Sequence, residues 1–245
     1  MKLRIGTYNI LHGADFPRKL KTGEDAVDLL LCADSISRMA LDICGLNEVR
    51  NQERVEGLCH QARFLAERLG YHYVFARAID HAGGEYGNAL LSRFPILSVA
   101  LYPLIVPEGE RVAGVRYENR VILDARLDVS GRELGVFVTH FGLYEDEIAL
   151  AAETLVTLAR SCTIPLIVAG DFNVTPDHTA IALLKTCLTD TAEITDDTLY
   201  TFPSHAPTKK IDYILTSGDM KTRSVTAPHL LTSDHKPLVA ELEIE

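Results

Sequence analysis

Pro165-Leu166-Ile167-Val168-Ala169-Gly170-Asp171-Phe172-Asn173 is the stretch that decides how this chain is layered. Four consecutive apolar residues stand between a proline and a Gly-Asp pair. A run that short, closed by turn residues at both ends, reads as a strand buried on both faces, and such a strand needs a covered sheet. Directly upstream, 145–160 carries acidic residues in its first turn and Ile148, Ala152, Leu155 and Ala159 at helical spacing. A helix leading into a doubly buried strand is the unit of a layered α/β fold.

The same two patterns recur on either side of this stretch. Residues 3–10 and 41–46 read as strands. Thr22 with Asp25 resembles a capping box before a helix bearing Leu29, Ala33, Ile36 and Ala40. Val55, Leu58, Ala62, Leu65 and Leu69 mark a second amphipathic helix that Gly70 stops. The middle is strand-rich, at 72–75, 88–92, 97–103, 121–127 and 134–140, and 211–215 and 238–244 add two more strands. No Gly/Ser linker or charge run divides the chain, so residues 1–245 read as a single domain of two packed sheets with helices outside.

Composition narrows the function classes. With 47% hydrophobic and 24% charged residues the chain can build a sizeable core. It holds 24 Lys plus Arg against 34 Asp plus Glu, a formal net charge of −10. A protein that grips long nucleic acid normally shows a basic face, because its affinity comes from neutralised phosphates. The balance therefore favours small phosphorylated substrates, although acid that holds metal leaves a nuclease open. Cysteines at 32, 44, 59, 162 and 187 are odd in number and lack CxxC spacing, which implies reduced, mostly buried thiols. Cys59-His60 reads as a helix-surface pair rather than metal ligands. The chain enters a strand-like run at once and has no stretch near the ~20 apolar residues of a membrane span, so a soluble, cytoplasmic protein is expected.

Chemistry gathers at strand ends. Asn9, Glu48, His140, Asp171 with Asn173, Asp212, and Asp234 with His235 all stand where an apolar strand begins or stops, supplying four carboxylates, two carboxamides and two imidazoles. Polar groups at such places lose solvation unless hydrogen bonds or a cation replace it. Each has an ordinary reading of its own: Asn9 a strand-end hydrogen bonder, Asp171 an Asx turn, Asp234 a loop cap, His140 a satisfied core histidine. Asp212, set inside Ile211-Asp212-Tyr213-Ile214, is harder to account for that way, and the set as a whole exceeds capping. Hard oxygen donors suit Mg²⁺, with Mn²⁺ as the alternative. No HExxH, P-loop, GxGxxG or GxSxG is present. The chemistry implied is attack of water on phosphorus assisted by a metal.

Seven blocks carry a resemblance. They are Thr7-Tyr8-Asn9, Asn47-Glu48, Gly87-Asn88-Ala89-Leu90-Leu91-Ser92-Arg93-Phe94-Pro95-Ile96, Thr139-His140-Phe141, Gly170-Asp171-Phe172-Asn173, Lys210-Ile211-Asp212-Tyr213-Ile214 and Ser233-Asp234-His235-Lys236-Pro237-Leu238. In this order, across positions 7 to 238, the chain resembles the endonuclease/exonuclease/phosphatase superfamily. That superfamily includes deoxyribonuclease I, abasic-site endonucleases, neutral sphingomyelinases and inositol polyphosphate 5-phosphatases. The resemblance implies a deoxyribonuclease I-like four-layer α/β/β/α sandwich of two packed mixed sheets, with the site at one edge.

It further implies Glu48 as principal metal ligand with Asn9 and Asp234 nearby, and Asp171 as the group that orients or deprotonates water. Asn173 would help hold the phosphate, and Asp212 would fix the tautomer of His235. His140 and His235 would contact the phosphoryl group. Arg120 and Asn88 are candidates for contact with the substrate phosphate, Arg120 reading equally as a solvent-exposed flank. Departures are Asn47 where Gln is common, Leu11 where abasic-site endonucleases carry an acidic residue, His12 beside it, and the absence of Trp and of an obvious basic insertion. Tyr200-Thr201-Phe202-Pro203 looks more like the small bacterial metal-dependent hydrolases of the superfamily. The implied substrate is a small or lipid-derived phosphodiester or phosphomonoester; nucleic acid and membrane lipid head groups stay open as partners, and no protein partner is indicated. Phe141-Gly142-Leu143-Tyr144 is a candidate rim for a lipid version.

Overall fold

The structure is a computed structural model that describes residues 1–56, 58–218 and 220–244. In chain order its elements are β1 (Lys2–Asn9), α1 (Phe16–Thr22), α2 (Leu29–Arg38), β2 (Ile43–Asn51), α3 (Gln61–Leu69), β3 (His72–His81), β4 (Gly84–Ser92), β5 (Ile96–Leu104), β6 (Arg120–Val129), β7 (Arg132–His140), α4 (Glu145–Ser161), β8 (Leu166–Asp171), α5 (Thr179–Leu184), β9 (Thr189–Asp190), β10 (Asp212–Thr216), β11 (Met220–Thr226) and β12 (Leu238–Ile244). Two six-stranded sheets result, ordered β11-β12-β1-β2-β4-β3 and β5-β6-β7-β8-β10-β9. Each is mixed: β1 runs parallel to β2 and β7 parallel to β8, while their other pairings are antiparallel.

Strand alternation builds the layers. Ile5, Ile43 and Leu90 of the first sheet meet Val136, Val138, Ile167, Ala169 and Ile214 of the second in one buried cluster between the sheets. Their neighbours in sequence point outward. Tyr8, Cys44, Leu46 and Leu91 pack under α2 and α3, and Phe137, Val168, Tyr213 and Leu215 pack under α4 and α5. This is the expected α/β/β/α sandwich. Side chains on a strand repeat every second residue, so Asn9, Asn47, Asn88, His140, Asp171 and Asp212 share the parity of the inner face. Asn9, His140, Asp171 and Asp212 lie where β1, β7 and β8 end and β10 begins, while Asn47 and Asn88 lie within β2 and β4; pairing places His140 opposite Asp171 and Asp171 opposite Asp212.

Several boundaries differ from the sequence reading. Thr22 caps nothing ahead of it; it closes α1, a short lysine- and arginine-bearing helix without a clear apolar period, which Gly23 ends at φ 75°. Asp28 caps the next helix, accepting from the Leu31 amide at 2.9 Å. The second amphipathic helix starts at Gln61, with Val55 in a turn and Leu58 half exposed before it. His60 is its cap, accepting from Arg63 N through Nδ1 at 3.4 Å, rather than a residue on the helix surface. Gly70 stops that helix as expected, at φ 72°. The strand β11 was not foreseen because Lys221, Thr222, Arg223 and Ser224 hide the alternation on an edge strand that carries a bulge. All five cysteines are free, and Cys32 and Cys44 are buried while the other three are half-buried.

Candidate active site

At the polar edge of the sandwich a cleft of about 440 Å³ opens between the sheets. Glu48, His140, Asp171, Asn173, Asp234, His235 and Arg120 line it. Asp171 is the hub. Its Oδ2 accepts from Asn9 Nδ2 at 3.1 Å and lies 3.6 Å from His140 Nε2 and 3.5 Å from His235 Nε2. Its Oδ1 accepts from the Asn173 amide at 2.9 Å. Gly170 precedes it because β7 and β8 approach too closely for a side chain; a Cβ there would lie 1.9 Å from the Thr139 carbonyl oxygen.

The protonation pattern follows from the partners. Asp212, completely buried, receives His235 Nδ1 at 2.9 Å. An ionised carboxylate only accepts, so Nδ1 carries a proton and Nε2 faces Asp171. Burial pushes the His235 imidazolium down, but the Asp212 and Asp171 carboxylates outweigh it and lift the pKa to about 10. His140 behaves oppositely: burial, then the charges of Arg120 and His235, hold it well below the usual imidazole range. Arg120 Nη1 meets His140 Nδ1 at 3.3 Å. Because a guanidinium only donates, neutral His140 keeps its proton on Nε2. Burial also raises the Asp171 carboxyl to about 7, with Asp212 adding to the rise and His235 opposing it.

Glu48 sits at a break in the β2–β4 register, between Leu46 and Val49, with φ 59°. Non-glycine residues rarely hold that backbone unless the surroundings impose it. The bulge turns the carboxylate into the cleft, where Asn9 Nδ2 donates to Oε1 at 3.0 Å. Burial raises the Asp234 carboxyl, and Glu48 adds to that rise. Among the described residues neither carboxylate has a cationic side chain in ion-pair contact. Two adjacent hard carboxylates facing a cleft in this way fit a small divalent cation. The trio Asp171, Asp212 and His235 also brings ligand atoms within 4.8 Å of one another. There, however, one Asp212 oxygen is already occupied by His235 Nδ1, so a hydrogen-bonded relay describes it better than a metal site.

Three assignments from the sequence change. Asn88 is buried with both amide ends engaged, Oδ1 by Asn47 Nδ2 at 2.9 Å and Nδ2 by the Val121 carbonyl at 3.0 Å, so it braces the two sheets instead of meeting a phosphate. Asn9 donates between Glu48 and Asp171 while its Oδ1 accepts from the Leu11 amide at 3.1 Å, a bridging role rather than the ligand role the resemblance implies. Arg120 is mostly buried and lines the cleft, which removes the reading as a solvent-exposed flank. The sequence reading gave no role to Asn47, which accepts from Asp171 N at 2.9 Å and donates to the Thr139 carbonyl at 2.8 Å. It also passed over Arg50, His81, Tyr86 and Phe202 on the cleft walls. Arg50 was not findable by alternation, because the bulge at Glu48 resets which residues of β2 face inward.

The family profile described as "Endonuclease/Exonuclease/phosphatase family" matches residues 6–235, and the chain belongs to that family. Its members are hydrolases acting on phosphate esters. YbhP of Escherichia coli, an uncharacterized protein, is 28% identical over 233 residues, 86% of this chain and 87% of that one. Protein cwh43 of Schizosaccharomyces pombe is 31% identical over 139 residues, 56% of this chain, which spans only 13% of that longer protein. The fold is shared with a mannosyl-6-phosphatase from Bacteroides thetaiotaomicron at TM-score 0.77 and 22% identity, covering 99% of this chain and 100% of that one. An endonuclease/exonuclease/phosphatase from Bacteroides vulgatus superposes at TM-score 0.78 and 21% identity, covering both chains completely. No helix among the described residues is long and apolar enough to cross a membrane.

Proposed function

We propose that residues 1–245 act as one catalytic unit, a Mg²⁺-dependent phosphoesterase in which water attacks a small or lipid-derived phosphate ester. Mn²⁺ is the alternative metal, and the cytoplasm is the compartment we assign. The observation that carries the reading is the convergence of Asn9 Nδ2, His140 Nε2 and His235 Nε2 on one oxygen of Asp171 beside the Glu48 carboxylate. Glu48 and Asp234 would hold the cation, with Asn9 Nδ2 tying Glu48 to Asp171. When bound, it offsets charge on the phosphoryl oxygens and the leaving group. Asp171, poised near neutrality, takes the proton from the attacking water. The Nε2–H groups of His140 and His235 and the Arg120 guanidinium hold the phosphoryl oxygens as their charge grows. Asn173, whose Nδ2 donates to the Phe141 carbonyl at 3.0 Å, lies alongside as a further phosphate contact.

A panel settles substrate class. The protein is incubated with Mg²⁺ or Mn²⁺ against plasmid, abasic duplex, single strands, sphingomyelin, inositol phosphates and a bis-aryl phosphodiester. Turnover of a small ester, abolished by chelator and restored by Mg²⁺, is expected. Cutting of DNA at catalytic enzyme levels without turnover of any small ester makes the protein a nuclease instead, and the net charge of −10 weighs against that outcome.

The pH profile has two limbs. Asp171 must be unprotonated to accept a proton, so the rate climbs as pH rises towards about 7; a bound cation moves this limb lower. His235 works as a cation, so the rate falls as pH passes through about 10. Asp212→Asn removes the carboxylate that does most to sustain that cation, and the alkaline limb moves down by about one pH unit or more. A kcat/KM profile whose alkaline limb is the same in Asp212→Asn and wild type would exclude the role given to the pair.

A further inference from the structure

Arg50 lies on β2 and reaches the same cleft as Glu48. Val49 between them is buried in the outer layer, so both flanking side chains turn inward. The Arg50 Nε is buried and has no hydrogen-bond partner, and among the described residues no carboxylate closes an ion pair with this guanidinium. A buried charged donor left without an acceptor is costly, which points to an anion supplied from outside the chain. Arg120, from the opposite sheet, also leaves a buried Nε without a partner, but its Nη1 is committed to His140 at 3.3 Å and Glu118 at 3.1 Å. One phosphoryl group at His140 and His235 engages the Arg120 side. Arg50 is rooted two residues beyond Glu48 on β2, and none of the hydrogen bonds or ion pairs of the Asp171 cluster involves it.

The surroundings of Arg50 are built. Gln61 is buried; its Nε2 donates to the His12 carbonyl at 2.7 Å and its Oε1 accepts from Arg50 N at 2.9 Å. One side chain therefore ties the turn at His12 to the strand at Arg50. Leu11 and His12 both hold left-handed backbone, φ 46° and 48°, and the turn is gripped at its other end by Asn9 Oδ1. Residues in that region persist only where their surroundings impose it. The result is a His12 ring presented to the cleft, kept neutral by burial and by Arg50, with a pKa of about 4. His81, at the end of β3, lines the same wall.

We infer that Arg50, with His12 and His81, forms a second anion subsite, so that the preferred substrate carries another phosphate besides the ester that is cleaved. The inference rests on the phosphoesterase reading of this cleft. The planar fork of arginine suits phosphate, and a neutral imidazole adds a donor without a second desolvated charge. A small bisphosphate and the neighbouring phosphate of a nucleotide chain present the same chemistry.

The test compares binding of propyl phosphate with that of propane-1,3-diyl bisphosphate, and of the dinucleotide TpT with 5′-phosphorylated TpT, by calorimetry with Mg²⁺ at fixed ionic strength. In the wild type at least one doubly phosphorylated ligand binds about tenfold or more tighter than its partner. The pair that shows the preference identifies the source of the second phosphate. Arg50→Gln lowers that ratio to about twofold or less, and Arg50→Lys leaves it in between. Because each ratio is taken within one protein, a general loss of activity does not move it; His12→Gln, which must also lower it, serves if Arg50→Gln does not fold. Ratios near one in the wild type, or a ratio unchanged in Arg50→Gln, overturn the subsite. Turnover of simple esters without the ratio overturns the subsite and leaves the phosphoesterase reading standing. The ratio without turnover of any ester does the reverse.

Discussion

His235→Ala lowers kcat/KM on a phosphate ester by at least about a thousandfold, the loss expected when a cationic donor to the phosphoryl group disappears. The size of the effect follows from what His235 combines. Asp212 holds its Nδ1 at 2.9 Å and, with Asp171, keeps the ring charged to about pH 10. The other nitrogen stands 3.5 Å from Asp171, the base proposed for the attacking water. The alanine variant also leaves completely buried Asp212 without its partner, which costs about 3 kcal/mol of stability. His235→Asn separates the two effects, since an amide still donates to Asp212 but cannot carry charge. Thermal melts should place the asparagine variant near wild type and the alanine variant below it, with both lacking turnover. Near-normal rates in either variant would show that the site has been assigned to the wrong residues.

Glu48→Gln gives a loss of similar size at low Mg²⁺, again about a thousandfold or more. Glutamine matches glutamate in volume and accepts the same bulged backbone, so the fold is retained and only the charge changes. Asn9 Nδ2, which now donates to Glu48 at 3.0 Å, keeps an oxygen to meet. With one carboxylate left, Asp234, the midpoint of Mg²⁺ binding by calorimetry rises at least about tenfold, and raising Mg²⁺ recovers part of the rate. A second consequence is local: Asp234 loses one of the charges that raises its carboxyl, so its pKa falls towards the ordinary range. Unchanged Mg²⁺ binding in Glu48→Gln would exclude Glu48 as the principal ligand.

The layering of this fold was legible because burial on both faces of a strand leaves a plain mark. Leu166 to Ala169 are apolar without a break, since Ile167 and Ala169 face one layer and Leu166 and Val168 face the other. The site was legible for a related reason. Polar residues such as Asp171 and Asp212 interrupt those runs at one sheet edge, and strand parity then aims them at a common space. Pairing was not legible: β1 lies between β12 and β2, and no local feature of Lys2–Asn9 records a partner more than two hundred positions away. Local signals also misled where two elements abut, as at Thr22, whose cap-like spacing to Asp25 fell between α1 and the Asp28 cap of α2.

Side-chain roles were read least well where a residue's type fits two tasks. Asn88 and Asn47 have the carboxamide of a phosphate contact, yet both are spent on hydrogen bonds that join the sheets. Arg50 had the opposite fate, since an arginine in Glu48-Val49-Arg50-Asn51 looks like an ordinary solvated strand residue. Only the three-dimensional packing of Gln61 and the His12 turn around it shows that it faces the cleft.

Hydrolysis in ¹⁸O-labelled water shows which atom of the ester is attacked. With Mg²⁺ and a phosphomonoester that the panel shows to be turned over, each inorganic phosphate released should carry one ¹⁸O and the alcohol none, because water attacks phosphorus. Label in the alcohol, or release of phosphate at the same rate after chelation of all divalent metal, would contradict metal-assisted attack of water on phosphorus.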